Sequence, residues 1–332
     1  MSRKKHAPRI SAAICTRGRG DSIVCAVSTI LANTHPDFEL VIVDQSPEDD
    51  TERAVTPFLR DSRLRYVRSQ ERGLSRARNL AIREARAEII AFTDDDCEVP
   101  TDWLEKIEAA FQERPEAAIV FCNVAAGPFD PQQGFIPAYT RPDRFLATSI
   151  DDKNAARGIG AGIALRKSVI ESLGGFDSML GAGSEYCSCE DGDLAVRILL
   201  KGLPIYETNS VTVIHHGFRT FEEGKALGKR DYFGMGASYA KPLRCGHWRF
   251  MRVVACEFFV YSIWPTLRDA LHLRRPRGIS RSYWFLRGFL KGWNTPINRE
   301  TLCFDLPQAR PLELITTETP TASAPIAGDH AA

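Results

Sequence analysis

The chain carries almost no net charge. Its 43 lysines and arginines stand against 42 acids, a formal balance of +1 over 332 residues. A protein whose main task is binding nucleic acid has a marked basic excess, so no nucleic-acid partner is expected. There is no Gly-x-Gly-x-x-Gly fingerprint and no Walker A motif; Thr16-Arg17-Gly18-Arg19-Gly20 has glycines at the wrong spacing. That argues against a Rossmann dehydrogenase or a P-loop enzyme. The nine cysteines show no paired metal spacing, and Cys187-Ser188-Cys189 is too tight for a zinc knuckle. An odd cysteine count fits reduced thiols and a cytoplasmic setting. The basic first nine residues are followed by no apolar h-region, so no signal peptide is expected, and there are no internal repeats. Residues 253–267 have Glu257 as their sole charge but are short for a membrane span. Hydrophobic residues at 44% suffice for the core of one large α/β domain or two smaller ones.

What the chain does have is a run of acids behind an apolar stretch: Ile89-Ile90-Ala91-Phe92-Thr93-Asp94-Asp95-Asp96. A buried strand that runs into three like charges needs a cation to meet them. A hard divalent ion with oxygen ligands fits that need. Ligands of open α/β sheets bind beyond the carboxyl ends of the strands, where this run falls. The competing reading is a solvated turn with an Asp helix cap. A second acidic group, Glu190-Asp191-Gly192-Asp193, opens a helical pattern, and residues 211–214 read as a short strand ending in His215-His216. Acids there also suit a helix dipole, and either histidine can be a satisfied structural residue.

Strand and helix patterns alternate through the first part of the chain. Strands are expected at 9–15, 38–43, 64–67, 88–93 and 117–124. Helices are expected after Asp21 as a cap, over 75–86 with Ser75 as a cap, and after Thr101 as a cap. This rhythm predicts βαβ units and an α/β fold with a mostly parallel sheet flanked by helices. Residues 127–152, rich in Pro, Gln and Asp, read as a long loop. The glycines of Gly158-Ile159-Gly160-Ala161-Gly162 would let backbone approach a ligand closely, or mark a bulged strand.

The order Cys15-Thr16-Arg17, Val41-Ile42-Val43-Asp44, Gly73-Leu74-Ser75-Arg76-Ala77-Arg78-Asn79, Asp94-Asp95-Asp96, Gly174-Gly175-Phe176-Asp177, Glu190-Asp191 and His215 resembles the family 2 glycosyltransferases of GT-A fold over roughly residues 8–217. The resemblance implies inverting transfer of a sugar from a nucleotide-diphospho-sugar to an acceptor hydroxyl, with Mn²⁺ or Mg²⁺. It implies a nucleotide-sugar-binding half at 1–125 and an acceptor and catalytic half at 126–217. Thr16, Arg17, Asp44, Arg76, Arg78, Asp94 and Asp95 are candidate nucleotide-sugar contacts. Asp96 and His215 are candidate metal ligands, with His216 the alternative to His215. Asp191 is the candidate general base with Glu190 beside it and Asp193 as fallback. Gly162 stands where the family often has Asn, so a contact from that side chain is absent. Glycan, exopolysaccharide and lipid-linked acceptors all fit this reading. The rival readings are a nucleotidyltransferase that makes the sugar nucleotide and a GT-A-like binding protein without turnover.

Past His216 the pattern turns helical, giving an expected C-terminal helical extension over 218–300. Residues 248–273 are rich in aromatics, and Arg268, Arg274, Arg275, Arg277, Arg281, Arg287 and Lys291 follow with Asp269 the sole acid among them. Cations beside aromatics suggest a segment lying on an anionic membrane surface at the cytoplasmic face. The alternative is packing on the catalytic domain or on a second subunit, so the oligomeric state stays open. From 301 onward Pro, Thr and Ala dominate, and a disordered tail over 301–332 is expected.

Overall fold

In the computed structural model, which describes residues 7–273 and 276–306, strands β1 (Ile10–Thr16), β2 (Phe38–Asp44), β3 (Leu64–Arg68) and β4 (Ile89–Asp94) run parallel in the order β3-β2-β1-β4. Helices α1 (Gly20–Leu31), α2 (Asp50–Val55) and α3 (Leu74–Glu84) connect them. All seven residues of β2 are buried, which is why it reads as an apolar run without alternation. Of its two acids, Glu39 and the terminal Asp44, Glu39 accepts hydrogen bonds from Ser11 Oγ and Arg86 Nε, each at 2.7 Å.

Beyond β4 come β5 (Cys97–Glu98), α4 (Trp103–Glu113), β6 (Ile119–Ala126), β7 (Gly134–Phe135), β8 (Phe145–Ala147), β9 (Ile163–Arg166), α5 (Lys167–Ser172), α6 (Glu190–Leu200) and β10 (Ile205–His215). The sheet continues β4-β9-β6-β10-β5, and β8 also pairs with β10. Strand β9 is antiparallel to both β4 and β6, while β6 and β10 are parallel. Two successive reversals restore direction, so β1, β2, β4, β6 and β10 all end at one edge. Thr16, Asp44, Asp94 and His215 are the last residues of four of these strands and therefore share that edge. Helices α1 and α4 cover one face of the sheet, burying Ile23, Val27, Ile30, Trp103, Leu104 and Ile107. Helices α3 and α6 cover the other, with Ala77, Ala81, Leu194 and Ile198.

The extension begins with β11 (Arg219–Thr220), which pairs with β7, and α7 (Phe221–Arg244), capped by a Thr220–Glu223 box. Helix α8 (Met251–Phe258) passes through a π turn at Phe259–Ile263 into α9 (Trp264–Leu271), and α10 (Arg277–Asn294) returns along α7 and α9.

Several sequence expectations are corrected. Residues 127–152 are not a featureless loop, since β7 and β8 pin them to β11 and β10. The residue preceding α3 is Gly73, and Ser75 instead donates its hydroxyl to Leu180 O at 2.8 Å. Arg19 and Asp102 hold the cap positions expected of Asp21 and Thr101, neither with a side-chain capping bond. The strand expected at 211–214 runs from Ile205. The tail expected from 301 is ordered over its first residues: Leu302 and Phe304 are buried, and Phe304 packs on Tyr186 with ring centroids 4.8 Å apart. The remainder, 307–332, lies outside the described residues, as do Arg274 and Arg275.

Candidate active site

The strand ends open into a cleft of about 560 Å³, walled by Thr16, Arg17 and Arg19 after β1, Asp94 to Asp96 after β4, Asp191 on α6 and His215 at the end of β10. Each acid of the first run has a different partner. Asp94 lies 3.7 Å from the Arg78 guanidinium. Asp95 accepts a 2.7 Å hydrogen bond from Thr16 Oγ1 and sits 3.4 Å from Arg19 Nη1. Asp96 pairs through Oδ2 with Arg19, and its Oδ1 is 3.2 Å from His215 Nε2. Burial pushes Asp95 up to about 6 against the pull of Thr16 and Arg19. Burial also opposes ionisation of Asp96, but the His215 ring and Arg19 outweigh it and hold this carboxyl at about 2. Asp94 is raised, by burial first, with Arg78 opposing.

His215 is oriented as a ligand would be. Its Nδ1–H donates to Pro137 O at 2.7 Å, which leaves Nε2 facing Asp96, to donate there when the ring is charged or to offer its lone pair to a cation that displaces that proton. Burial works against its charged form, but the Asp96 carboxylate outweighs burial and raises its pKa. Gly217 keeps the space beside both atoms clear, since a Cβ there would lie 2.5 Å from His215 Nε2 and 2.8 Å from Asp96 Oδ2. A carboxylate and an oriented imidazole with room beside them fit Mn²⁺ or Mg²⁺, with the remaining positions open to donor or water. Cys97 is close by, but burial pushes its thiol well up and keeps it protonated. His216 turns away, exposed, with Nε2 3.4 Å from Glu98.

The second acidic group divides in the same manner. Glu190 is buried against Arg78 at 3.0 Å, and burial together with neighbouring Asp191 pushes it up to about 7 despite that arginine. Asp191 lines the cleft, accepting from Gly160 N at 2.8 Å and Gly192 N at 2.6 Å. Asp193 points inward: Arg197 Nε at 2.9 Å, Lys241 Nζ at 2.7 Å and Ser238 Oγ at 3.0 Å surround it. The Lys241 ammonium also holds Asp177 of the Gly174-Gly175-Phe176-Asp177 motif at 2.5 Å. This buried network ties α6 to α7.

The structure therefore brings Thr16, Arg17, Arg78, Asp94, Asp95, Asp96, Asp191, Glu190 and His215 to one cleft. It does not bring Asp44 or Arg76 to the cleft wall. Asp44 is fully buried, its oxygens bound by Ser46 N at 2.7 Å and Tyr66 OH at 2.5 Å. Arg76 donates to Arg72 O and lines a separate hollow beside Tyr186 and Lys291. Ile159, Gly160 and Ala161 of the glycine run line the cleft, and a Cβ on Gly160 would strike Arg78 Nη2 at 2.5 Å. Arg19, Gln45, Arg72 and Arg219 line the cleft without having been singled out as site residues. Arg19 and Arg72 sit beside motifs that were, and their position there is the only sequence signal they offer.

The fold is of GT-A type. Residues 11–174 match the family model described as glycosyl transferase family 2, and the chain belongs to that family. The chain is 26% identical over 249 residues to the O-antigen biosynthesis protein RfbC of Myxococcus xanthus, a match covering 70% of this chain and 19% of that protein. It is 23% identical over 219 residues to the glucosyl-dolichyl phosphate glucuronosyltransferase of Haloferax volcanii, covering 63% and 66%. The chain thus spans about a fifth of the first relative and just under two thirds of the second. A mannosyltransferase from Pyrobaculum calidifontis, solved with GDP-Man and Mn²⁺, shares the fold at a TM-score of 0.54 and 20% identity, over 87% of this chain and 86% of that one.

Proposed function

We propose that this protein transfers a sugar, with inversion, from a nucleotide-diphospho-sugar to an acceptor hydroxyl in glycan or polysaccharide synthesis. The observation that carries the reading is the convergence of Asp191 with the Asp96–His215 pair on one cleft. A single displacement needs a base for the acceptor proton and stabilisation of the departing diphosphate, without an enzyme nucleophile. Asp191 is the base: of the α6 acids it alone has no cation within its hydrogen-bonding partners among the described residues. Glu190 and Arg78 brace the turn that carries it. Mn²⁺ or Mg²⁺ held by Asp96 and His215 would supply Lewis-acid stabilisation of the diphosphate. Thr16 and Arg19 hold Asp95 beside it, and Arg17 and Arg72 at the cleft wall supply cationic and stacking contacts for the donor nucleotide. The nucleotide-sugar donor and Mn²⁺ of the mannosyltransferase neighbour support this reading.

The reaction belongs at the cytoplasmic face of a membrane carrying anionic lipid. The outer side of α10 exposes Ile279, Tyr283, Leu286, Leu290 and Trp293, spaced by four and three residues. The run Trp248–Leu271 has mean hydropathy 1.2 with 22% of its most apolar window buried, and it exposes Trp248, Phe259, Trp264 and Leu267. Both acids in this hairpin turn inward: Glu257 is bonded to Tyr239, and Asp269 is buried. Arg249, Arg252, Arg268 and Arg287 are exposed. A face that is apolar and solely cationic repels a copy of itself and suits anionic headgroups, which supports membrane association beside lipid-linked acceptors.

A thermal-shift screen of sugar nucleotides with Mn²⁺ tests the function. One donor should raise Tm in the presence of Mn²⁺ and not with chelator, because a ligand of the native state stabilises it. Pyrophosphate release from a nucleoside triphosphate and a sugar phosphate would instead establish the nucleotidyltransferase reading.

A further inference from the structure

We propose that Arg19 is the internal counter-ion of the acidic run and antagonises divalent-cation binding until a donor diphosphate draws it away, so that cation and donor bind cooperatively. The inference rests on reading Asp96 and His215 as the cation's ligands. Arg19 stands at the start of α1, and its Nη1 reaches Asp96 Oδ2 and, at 3.4 Å, Asp95 Oδ1. The opposite oxygen of Asp96 faces His215 Nε2 at 3.2 Å. A dication on that side and a guanidinium on the other would share one carboxylate, and like charges so close in a part-buried cleft repel strongly. Arg19 is not locked in place: its side chain is 38% exposed, and it lines the same cleft as Arg17 and Arg72. Arg78 differs, being 3% exposed and wedged between Phe92 and Phe176. Of the two guanidiniums paired with the acidic run among the described residues, Arg19 is thus the more exposed and the less enclosed.

A diphosphate offers Arg19 an alternative partner, since guanidinium and phosphate oxygens match in charge and fork geometry. Moving there relieves the repulsion at Asp96 at the same moment that the diphosphate adds its own oxygens. Linkage makes the effect reciprocal: whatever the nucleotide does for cation affinity, the cation does for nucleotide affinity.

Free Mn²⁺ measured by electron paramagnetic resonance tests the proposal without turnover. In the unaltered protein, Mn²⁺ should bind weakly alone and at least about tenfold more tightly with UDP or GDP present, a typical coupling between sites. Arg19→Gln should bind Mn²⁺ more tightly in the absence of nucleotide and lose most of that coupling. Arg19→Lys, which keeps the charge, should behave nearly as the unaltered protein and guards against a folding defect in Arg19→Gln. If Asp96→Asn abolishes Mn²⁺ binding while Arg19→Gln leaves both affinity and coupling unchanged, the Arg19 proposal is overturned and the metal site stands. If Asp96→Asn leaves Mn²⁺ binding intact, the metal-site reading has failed and the proposal falls with it.

Discussion

The two acidic groups, Asp94 to Asp96 after β4 and Glu190 to Asp193 on α6, are built alike and bound differently. On the reading proposed above, each gives the chemistry to one carboxylate, Asp96 or Asp191, although Asp94, Asp95 and Glu190 line the cleft as well. In the first group the holders are Thr16, Arg19 and Arg78, all close to the cleft. In the second they are Arg78, Arg197 and Lys241, and Asp193 sinks fully into the join between α6 and α7. Arg78 belongs to both, paired with Glu190 and near Asp94. On the proposal above, the first group is a ligand-responsive cluster with a movable cation. The second is braced by buried ion pairs, and on the same proposal it presents Asp191 as the base. Neighbouring acids in sequence carry no shared role: what each does depends on which cation the fold brings to it.

That difference sets distinct outcomes for substitutions. Asp96→Ala should reduce metal-dependent turnover to background; because it also removes the carboxylate that Arg19 and His215 hold, circular dichroism on the same preparation checks that the fold survives. Turnover that persists with chelator present would remove Asp96 from the mechanism. Asp193→Ala should act on stability instead, by about 3–5 kcal/mol, since it strands the buried Lys241 and Arg197 charges; denaturant unfolding checks this, and an unchanged midpoint would contradict that bracing. Glu190 sharpens the contrast through pH. Its carboxyl is raised to about 7 in the fold, from an ordinary value of 4.5. The unfolded chain therefore gives up this proton at lower pH than the native one, and the stability contributed by Glu190 is present below about pH 4.5 and lost as pH rises through 7. Chelated Glu190→Gln should show a flatter Tm–pH profile between 5 and 8 than the unaltered protein. The smallest effect concerns the hairpin. Leu286→Glu with Leu290→Glu should weaken co-sedimentation with anionic liposomes and leave donor binding alone, and high salt should weaken the unaltered protein likewise. A protein that ignores anionic liposomes and self-associates through α10 would reassign this face to a dimer.

Much of this architecture was legible in the chain. The strand–helix alternation marks β1 to β4 and their parallel order, because buried parallel strands read as unbroken apolar runs such as Leu40-Val41-Ile42-Val43. The acids at 94–96 and 190–191 and His215 stand out because charges at the ends of apolar runs are costly without a partner. What the sequence hides is long-range pairing. Nothing near Asp193 announces that Lys241 will neutralise it, or near Asp44 that Tyr66 will bury it. Arg78 looks like one more cation on an arginine-rich helix, yet it is 3% exposed and bridges acids 16 and 112 residues away. The antiparallel β9, inserted between β4 and β6, was likewise invisible, since its four residues Ile163-Ala164-Leu165-Arg166 carry no mark of direction.

The most direct test of this division of labour is Asp191→Asn, which keeps shape and removes basicity. With the donor found by thermal shift, nucleoside diphosphate release and donor affinity should be measured together on the same preparation. The account predicts a fall in kcat of about 10²–10⁴-fold with donor affinity little changed. Donor affinity that collapses while kcat survives would show that Asp191 binds or braces rather than accepts the proton, and would contradict the account.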